Sequence, residues 1–596
     1  MSHQPFPTTW DLTPFLDSDT DPRIPQFEAE LEKAATTFAT TWKDRNDYLE
    51  DVHVLLEALT HYEKVMADFG TDGPMGYYFF LRSSQDANDT VVKAGGNRID
   101  ELSAKLHNAI SFFELRLSAQ PAEKLAAFAT NTTLAKFKHF LEMLSANAPH
   151  NLTEAEEKIL TTKAPLLHDN WEQLRERLFS SETAPVQGEE KSLEELMTLV
   201  SDEDKVVRDE AFAGINGIIK KHLIVAETEI NAVLSNKKSN DELRKFARPD
   251  SSRHLGDDME TEVVDGMLNA VEKRFDIASR FYTLKAKLLG VEKLAYHERN
   301  LEYGVLITKY PYEDAVALVS ETLHELDPLF STHLMDFVTT GAVDVYPKKG
   351  KRGGAFCMYH HISQPVYIML NHTDKLNDVL TLAHEAGHGI NNQFMREKQN
   401  SLSFATPMAT AEVASTFMED FVLDRIASTA NDEERLAIMM MKLNSDVSTI
   451  FRQVACYRFE QDLHEAFRRE SYLDAQAIGK LFRKNMTAYM GPSIELGEGV
   501  ENWWADWHHI RSFFYVYSYA SGLLISKSMQ ASVKQDPAFI EKVKEFLSAG
   551  TSMSPRDIFK NMDIDIASEV FWNEGLGRVE SLLNETEALA KKLGKL

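Results

Sequence analysis

The stretch Thr381-Leu382-Ala383-His384-Glu385-Ala386-Gly387-His388 decides how this chain is read. It is an H-E-x-x-H run. Residues four apart stack on one face of a helix, so His384 and His388 can offer two imidazole nitrogens to one divalent cation. Zn²⁺ accepts such nitrogens at about 2.0–2.1 Å. Glu385 lies about 100° around the helix from His384, off the face shared by the histidines, and reads as a general base, not a ligand. Val379, Leu380, Leu382, Ala383, Ala386 and Ile390 make the surrounding helix nearly apolar, which predicts burial. Gly387 and Gly389 each cost a helix about 1 kcal/mol, so their presence predicts that something packs closely there.

A metal site needs a third ligand. Glu412 lies in the run Ala411-Glu412-Val413-Ala414-Ser415-Thr416-Phe417-Met418-Glu419, which reads as a second helix. Two imidazoles and one carboxylate leave a fourth coordination position for water. The alternative of a third histidine fails: Asn391 and Phe394 stand where the longer motif needs Gly and His. Glu419, two turns beyond Glu412, is expected to take the spare N–H of a ligating histidine.

His384-Glu385-Ala386-Gly387-His388 followed by Ala411 to Phe417 resembles the M3 family of zinc metallopeptidases, in particular its oligoendopeptidase F branch. The resemblance extends to Lys351-Arg352-Gly353-Gly354-Ala355-Phe356-Cys357, to His509, and to Phe514-Tyr515-Val516-Tyr517-Ser518-Tyr519-Ala520. Weaker similarity includes Trp10-Asp11-Leu12 and Phe281 to Lys285, so nearly the whole chain is covered. The family resemblance implies a mainly α fold: a large helical metallopeptidase body with a deep substrate channel and a small β element next to the H-E-x-x-H helix. It implies one Zn²⁺ per chain, held by His384, His388 and Glu412. It also implies that His509, Tyr515 and Tyr517 stabilise the transition state, and that Tyr519, Gly353 and Gly354 contact substrate. Arg511 departs from the aromatic residue that relatives often carry at its place.

Composition bounds the alternatives. A chain of 596 residues, 43% of them hydrophobic, exceeds one ordinary core. The net charge of −28 disfavours nucleic acid and anionic lipid as partners. No apolar run reaches membrane-spanning length, and two cysteines cannot build a disulfide framework. Met1 to Pro5 lacks the features of a secretion signal, so a cytoplasmic protein is expected. Whether it is a monomer or a homo-oligomer is left open by the sequence.

Helical periodicity dominates: Phe27 to Trp42, Tyr48 to Phe69, Ala94 to Leu117, Ala122 to Leu144, Leu193 to Leu234 and Met259 to Leu289. Asn151 with Glu154 and Ser192 with Glu195 read as capping boxes. Ser181 to Glu190, with Pro185 and Gly188, is the expected boundary between an N-terminal helical domain, 1–190, and a catalytic domain, 191–596. Val343 to Tyr346 and Val366 to Leu370 read as strands joined through a basic, glycine-rich loop, Lys348 to Gly354, which is either a solvated connection or a wall of the substrate cleft. Tyr515, Tyr517 and Tyr519 alternate with Val516 and Ser518, a spacing that suits a strand or an aromatic cluster. His360 and His361 are candidates for substrate contact, His372 reads as structural, and nothing marks Cys357 as a nucleophile.

The function these readings converge on is zinc-dependent endopeptidase action on oligopeptides. A metallocarboxypeptidase is the second reading and needs a cation for the substrate carboxylate, for which Arg511 is the candidate. A non-enzymatic peptide binder is the third, disfavoured because the three ligands and Glu385 are all present.

Overall fold

The computed structural model describes residues 6–70, 72–304, 306, 308–359 and 361–596, and is mainly helical with a few short strands. By compactness the chain divides into two units that interleave in sequence. The first comprises Met1–Asn151, Ile307–Arg425 and Met529–Asp563; the second comprises Leu152–Leu306, Ile426–Ser528 and Ile564–Leu596. Among the described residues no helix is long and apolar enough to cross a membrane.

In the first unit the helix Ile24–Trp42 buries Leu31, Ala35, Phe38 and Trp42, a 4-3-4 spacing that keeps one stripe inward. They pack with Tyr62, Phe112 and Phe113 in one core cluster. Asp51 caps the helix Val52–Asp68 by accepting from the amides of His53 and Val54. Two stretches expected as single helices are broken. Ala94 to Leu117 is divided at Ser111 between Thr90–Ile110 and Phe112–Ser118. Ala122 to Leu144 stops at Ala129, because the Asn131 side chain caps a new turn by accepting from Thr133 N.

The small sheet of this unit holds three strands in the order Val343–Asp344, Tyr367–Met369, Phe356–Met358. The first pair is parallel and the second antiparallel. The edge strand Phe356–Met358 was not anticipated, and the loop Lys348 to Gly354 therefore leads to a third strand instead of closing a hairpin. Nor is its base solvated. The fully buried Lys351 Nζ pairs with Asp344 at 2.6 Å and donates to the carbonyls of Asp344, Tyr346 and Leu370. Trp10 Nε1 donates to Ala342 O and Ile368 O, anchoring the N-terminal Trp10-Asp11-Leu12 stretch on the central strand.

The second unit is built on the 39-residue helix Lys205–Leu243, capped by Asp204. The helix expected from Met259 to Leu289 is two, Thr261–Glu272 and Phe275–Leu288. Asp432–Asp446 runs through a π turn, Val447–Phe451, into Arg452–Glu470. Ser181 to Glu190 lies largely in a hairpin, Thr183–Val186 with Glu189–Ser192. Gln187 and Gly188 both have positive φ, as a tight two-residue turn requires. Ser192 and Glu195 form the expected capping box. Thr153 and Glu156 form reciprocal bonds and Asn151 Nδ2 donates to Ser118 Oγ, while the Glu154 side chain, expected to pair with Asn151, lies outside what the structure describes.

Candidate active site

His384, Glu385 and His388 lie on the helix Leu376–Lys398, inside the first unit. Glu412 immediately precedes the helix Val413–Thr429, its carbonyl accepting from Thr416 N, so its carboxylate sits at a helix N-terminus where negative charge is favoured. The two segments meet at Gly387. A Cβ there would lie 2.7 Å from Ser415 Cα and 2.9 Å from Ala414 O, so only glycine permits this approach. Gly389 is equally pressed, its absent Cβ falling 2.7 Å from the Phe337 ring.

The result is a convergent donor set. Glu412 Oε2 is 3.2 Å from His384 Nε2 and 3.7 Å from His388 Nε2. One ligand atom from each of the three residues lies within 4.8 Å of the others. Tetrahedral zinc with bonds of about 2.0–2.1 Å separates its ligand atoms by about 3.3 Å, so these positions fit after small adjustments. His384 Nδ1 donates to Glu419 Oε2 at 2.9 Å, which fixes the tautomer and leaves Nε2 for a metal. Ser415 Oγ donates to Glu412 Oε2 at 3.2 Å, steadying the carboxylate.

The electrostatics are those of a cation site. Burial disfavours a charged His384, but its hydrogen bonds to Glu412 and Glu419 prevail and raise its pKa to about 10 in the metal-free protein. Burial and the neighbouring His384 charge push His388 down. Burial raises the Glu385 pKa to about 7, with His384 opposing and the Glu412 and Glu419 charges reinforcing the rise. Burial works against ionised Glu412, yet the histidines hold its pKa low. A second cluster of donors, Asp209, His297 and Glu298, offers less. Lys205 pairs with Asp209 at 2.8 Å and Arg208 with Glu298 at 3.0 Å, so its acids already have counter-charges.

Other expected residues fall as follows. Gly354 has φ +76°, and open space surrounds the Cβ positions of both Gly353 and Gly354. Asn371 Nδ2 holds the turn through Gly354 O and Arg352 O. His361 pairs with Asp72 at 2.9 Å and His372 binds Tyr310 O at 2.8 Å; both are buried. His360 lies outside the described residues, as does Met1 to Pro5. The Cys357 thiol is pushed well up by burial and then by the Glu385 charge, so it is a poor nucleophile. Asp420 accepts from Gln530.

In the second unit His509, Tyr515 and Tyr519 form one cluster. His509 Nε2 is 3.2 Å from the Tyr519 hydroxyl, and the Tyr515 and Tyr519 rings meet edge to face at 5.4 Å. Burial, then the charges of His508 and Arg452, lower the His509 pKa to about 4, so its imidazole is neutral. Tyr517 points elsewhere: it is fully buried and its hydroxyl donates to Asp257 at 2.8 Å. The alternating tyrosines are not a strand, since a helix begins at Tyr517. Arg511 is also fully buried, and its guanidinium grips Glu229 with two bonds of 2.8 and 2.6 Å, which removes it as a carboxylate receptor.

The sequence reading missed four contributors. Tyr359 stacks on His388 at 6.3 Å; burial, with Cys357, Glu412 and Glu385 nearby, pushes its pKa up to about 12. Its position two residues past the family-like Lys351 to Cys357 stretch was the available signal. Ser415 was quoted but given no role. Arg253 and Glu460 hold the turn before Tyr515, where Phe513 and Phe514 have φ of 48° and 55°. Arg253 donates to Ser512 O and Phe513 O, and Glu460 accepts from Phe514 N at 2.7 Å. Nothing local in the sequence announced that strained turn.

Comparison with known proteins gives this site a context. The profile of Peptidase family M3 matches residues 198–578, and that of Oligopeptidase F matches residues 116–181. Oligopeptidase PepF of Bacillus subtilis is 23% identical over 598 aligned residues, covering 98% of this chain and 88% of its own. A crystal structure from Chlamydophila abortus is similar with TM-score 0.84 at 21% identity, covering 99% of both chains. Oligoendopeptidase-F from Enterococcus faecium has TM-score 0.71 at 19% identity, covering 96% of this chain and 99% of its own.

Proposed function

The chain belongs to peptidase family M3, and from that premise we propose that it is a zinc-dependent metalloendopeptidase that hydrolyses oligopeptides. The observation that carries this reading is the convergence of His384, His388 and Glu412 beside Glu385. Zinc, when bound by the three ligands, supplies Lewis acidity that polarises the peptide carbonyl and brings water toward a neutral pKa.

The chain's own groups do the rest. Glu385 takes the proton of the attacking water as its oxygen bonds to the carbonyl carbon, then delivers that proton to the leaving nitrogen as the C–N bond breaks. A carboxylate with a raised pKa is suited to both halves of this shuttle. Glu419 holds His384 in register. We assign His509 and Tyr515, with neutral N–H and O–H donors, to the developing oxyanion. Tyr519 contacts substrate, and Tyr517, bonded to Asp257, holds the start of the tyrosine-bearing helix.

The edge strand Phe356–Met358 and the Gly353–Gly354 turn are assigned to one wall of a deep channel beside the H-E-x-x-H helix, where an extended peptide pairs with the strand. The division at 190 is retained as a domain boundary, since the two family matches fall on either side of Glu182 to Met197. One zinc per chain and a cytoplasmic site of action complete the reading.

Cleavage of an internally quenched peptide blocked at both ends tests it. Turnover should vanish with chelator and return with zinc, and Glu385→Gln should keep the metal and lose nearly all turnover. Cleavage restricted to peptides with a free C-terminus would instead support a carboxypeptidase. No cleavage by the zinc-loaded protein would reject the enzyme.

A further inference from the structure

Tyr515 follows a turn that its own residue types disfavour. Phe513 and Phe514 stand in succession at φ of 48° and 55°, a left-handed conformation that bulky side chains rarely adopt. Such backbone persists only where its surroundings hold it, and it gathers where a side chain must be aimed.

The holding groups come from three segments far away in sequence. Three consecutive carbonyls are taken by side chains. His168, on the π turn Pro165–Asp169, donates through Nε2 to Arg511 O at 3.1 Å. Arg253, on the helix Ser251–Gly256, donates to Ser512 O at 2.7 Å and to Phe513 O at 3.1 Å. The next amide, Phe514 N, donates to Glu460 Oε1 at 2.7 Å from the fully buried Glu460 of the helix Arg452–Glu470. Burial pushes the Glu460 carboxyl well above its usual range, the Phe514 N–H and the Arg253 and Lys237 charges opposing.

The rings are fixed as firmly as the backbone. Phe514 is fully buried, its ring 4.8 Å from His464 and 5.3 Å from Tyr457. The Phe513 ring lies 5.7 Å from His464 and 5.9 Å from His168. A return of either residue to negative φ would re-aim its ring and break these contacts. The reversal folds the chain so that the Tyr515 ring lies 6.0 Å from that of His509, six residues earlier. Arg253 also reaches past the turn. Its guanidinium lies 5.9 Å over the Tyr515 ring and pairs at 3.4 Å with Asp257, the acceptor of Tyr517.

We propose that Glu460 and Arg253 are positioning residues for catalysis: they clamp the Phe513–Phe514 turn in its left-handed form and so fix the Tyr515 ring beside His509. The proposal rests on the assignment of Tyr515 to the oxyanion. Both residues act through Tyr515, without contact to substrate.

The zinc-loaded enzyme and an end-blocked quenched peptide test it. Glu460→Leu and Arg253→Met should each lower kcat by about tenfold to a hundredfold and leave KM within about threefold. Zinc affinity should not change, because the three ligands lie in the first unit. Glu460→Gln keeps the shape and the acceptor, and should hold kcat within about threefold of wild type. In a Tyr515→Phe background the two clamp substitutions should add less than about twofold, whereas a general loosening of the fold would multiply in full. A 3-fluorotyrosine at position 515 reads the ring directly: its ¹⁹F resonance should move toward the solvent-exposed value in Glu460→Leu and Arg253→Met but not in Glu460→Gln. If Glu460→Leu fails to fold, Arg253→Met, at a partly exposed side chain, carries the comparison. Should Tyr515→Phe lower kcat while the clamp variants keep wild-type kcat, or multiply its loss, the clamp is rejected and the oxyanion assignment stands. Wild-type kcat in Tyr515→Phe rejects the oxyanion assignment itself and takes the catalytic role of the clamp with it.

Discussion

Replacing Gly387 with alanine should damage the metal centre without touching a ligand. The new Cβ would stand 2.7 Å from Ser415 Cα and 2.9 Å from Ala414 O, and neither backbone atom can rotate away. Carbon pairs settle at about 3.5–4.0 Å, so the start of the Val413–Thr429 helix must retreat by about 0.8 Å or more. Glu412 travels with it. Its carboxylate oxygen begins 3.2 and 3.7 Å from the two histidine nitrogens, and metal–ligand distances tolerate only about 0.2 Å. In an unconstrained helix this substitution is worth about 1 kcal/mol of added stability, which overpacking of about 1–3 kcal/mol more than offsets. We therefore expect slightly lower stability and zinc affinity reduced by about tenfold or more, equivalent to about 1.4 kcal/mol. Competition against a fluorescent chelator measures the affinity. Gly389→Ala is the internal control: it presses on the Phe337 ring and Val366, so it should lower stability while leaving zinc affinity within about twofold. Wild-type affinity in Gly387→Ala would refute the argument from close approach.

Glu419→Gln should weaken zinc binding by about 10–100-fold, because His384 loses its charged orienting partner. It should also move the acid limb of kcat/KM to lower pH, since the Glu419 charge helps raise the Glu385 pKa; an unmoved limb would separate the two residues. In the metal-free protein His384 stays protonated up to pH of about 10, so zinc uptake near pH 8 should release at least one proton. Calorimetry in buffers of different ionisation enthalpy counts it, and zero release would contradict the assigned ligand. The folded pKa of His384 exceeds its unfolded value, so its contribution to metal-free stability is full below about 6.5 and is lost as pH rises through 10. Tyr515→Phe should lower kcat more than it raises KM with little change in stability. Tyr517→Phe should cost about 1–3 kcal/mol of stability by stripping buried Asp257 of a donor, and equal melting of the two variants would reject this division.

The paired histidines and their orienting acid were read from helical spacing, His388 four residues after His384 and Glu419 seven after Glu412, whereas Glu412 itself came from the family resemblance and the helix-like run it lies in. The same rule placed most helices but not their breaks, where single capping side chains such as Asn131 decide. The hairpin within Ser181 to Glu190 was not legible, because a tight hairpin turn and an irregular boundary segment use the same residues. The burial of Lys351 was not legible, because sequence cannot show a lysine finding three carbonyls and Asp344 in the interior. Tyr517 and Arg511 carried the right chemistry for roles that their partners, Asp257 and Glu229, withhold. Those partners lie hundreds of residues away in sequence, and only tertiary packing brings them near.

The interleaving of the first unit has a consequence for biosynthesis. Asn391, on the histidine helix, finds its acceptor at Leu547 O, and Gln399 finds Ser548 O. A ribosome that has just released Lys398 must still deliver everything to Asp563 before that unit is whole. At about 5–20 residues per second the wait is on the order of 10–30 s, during which an apolar helix is without its closing neighbour. Nascent chains of this length should therefore bind chaperones and remain protease-sensitive until the Met529–Asp563 segment emerges.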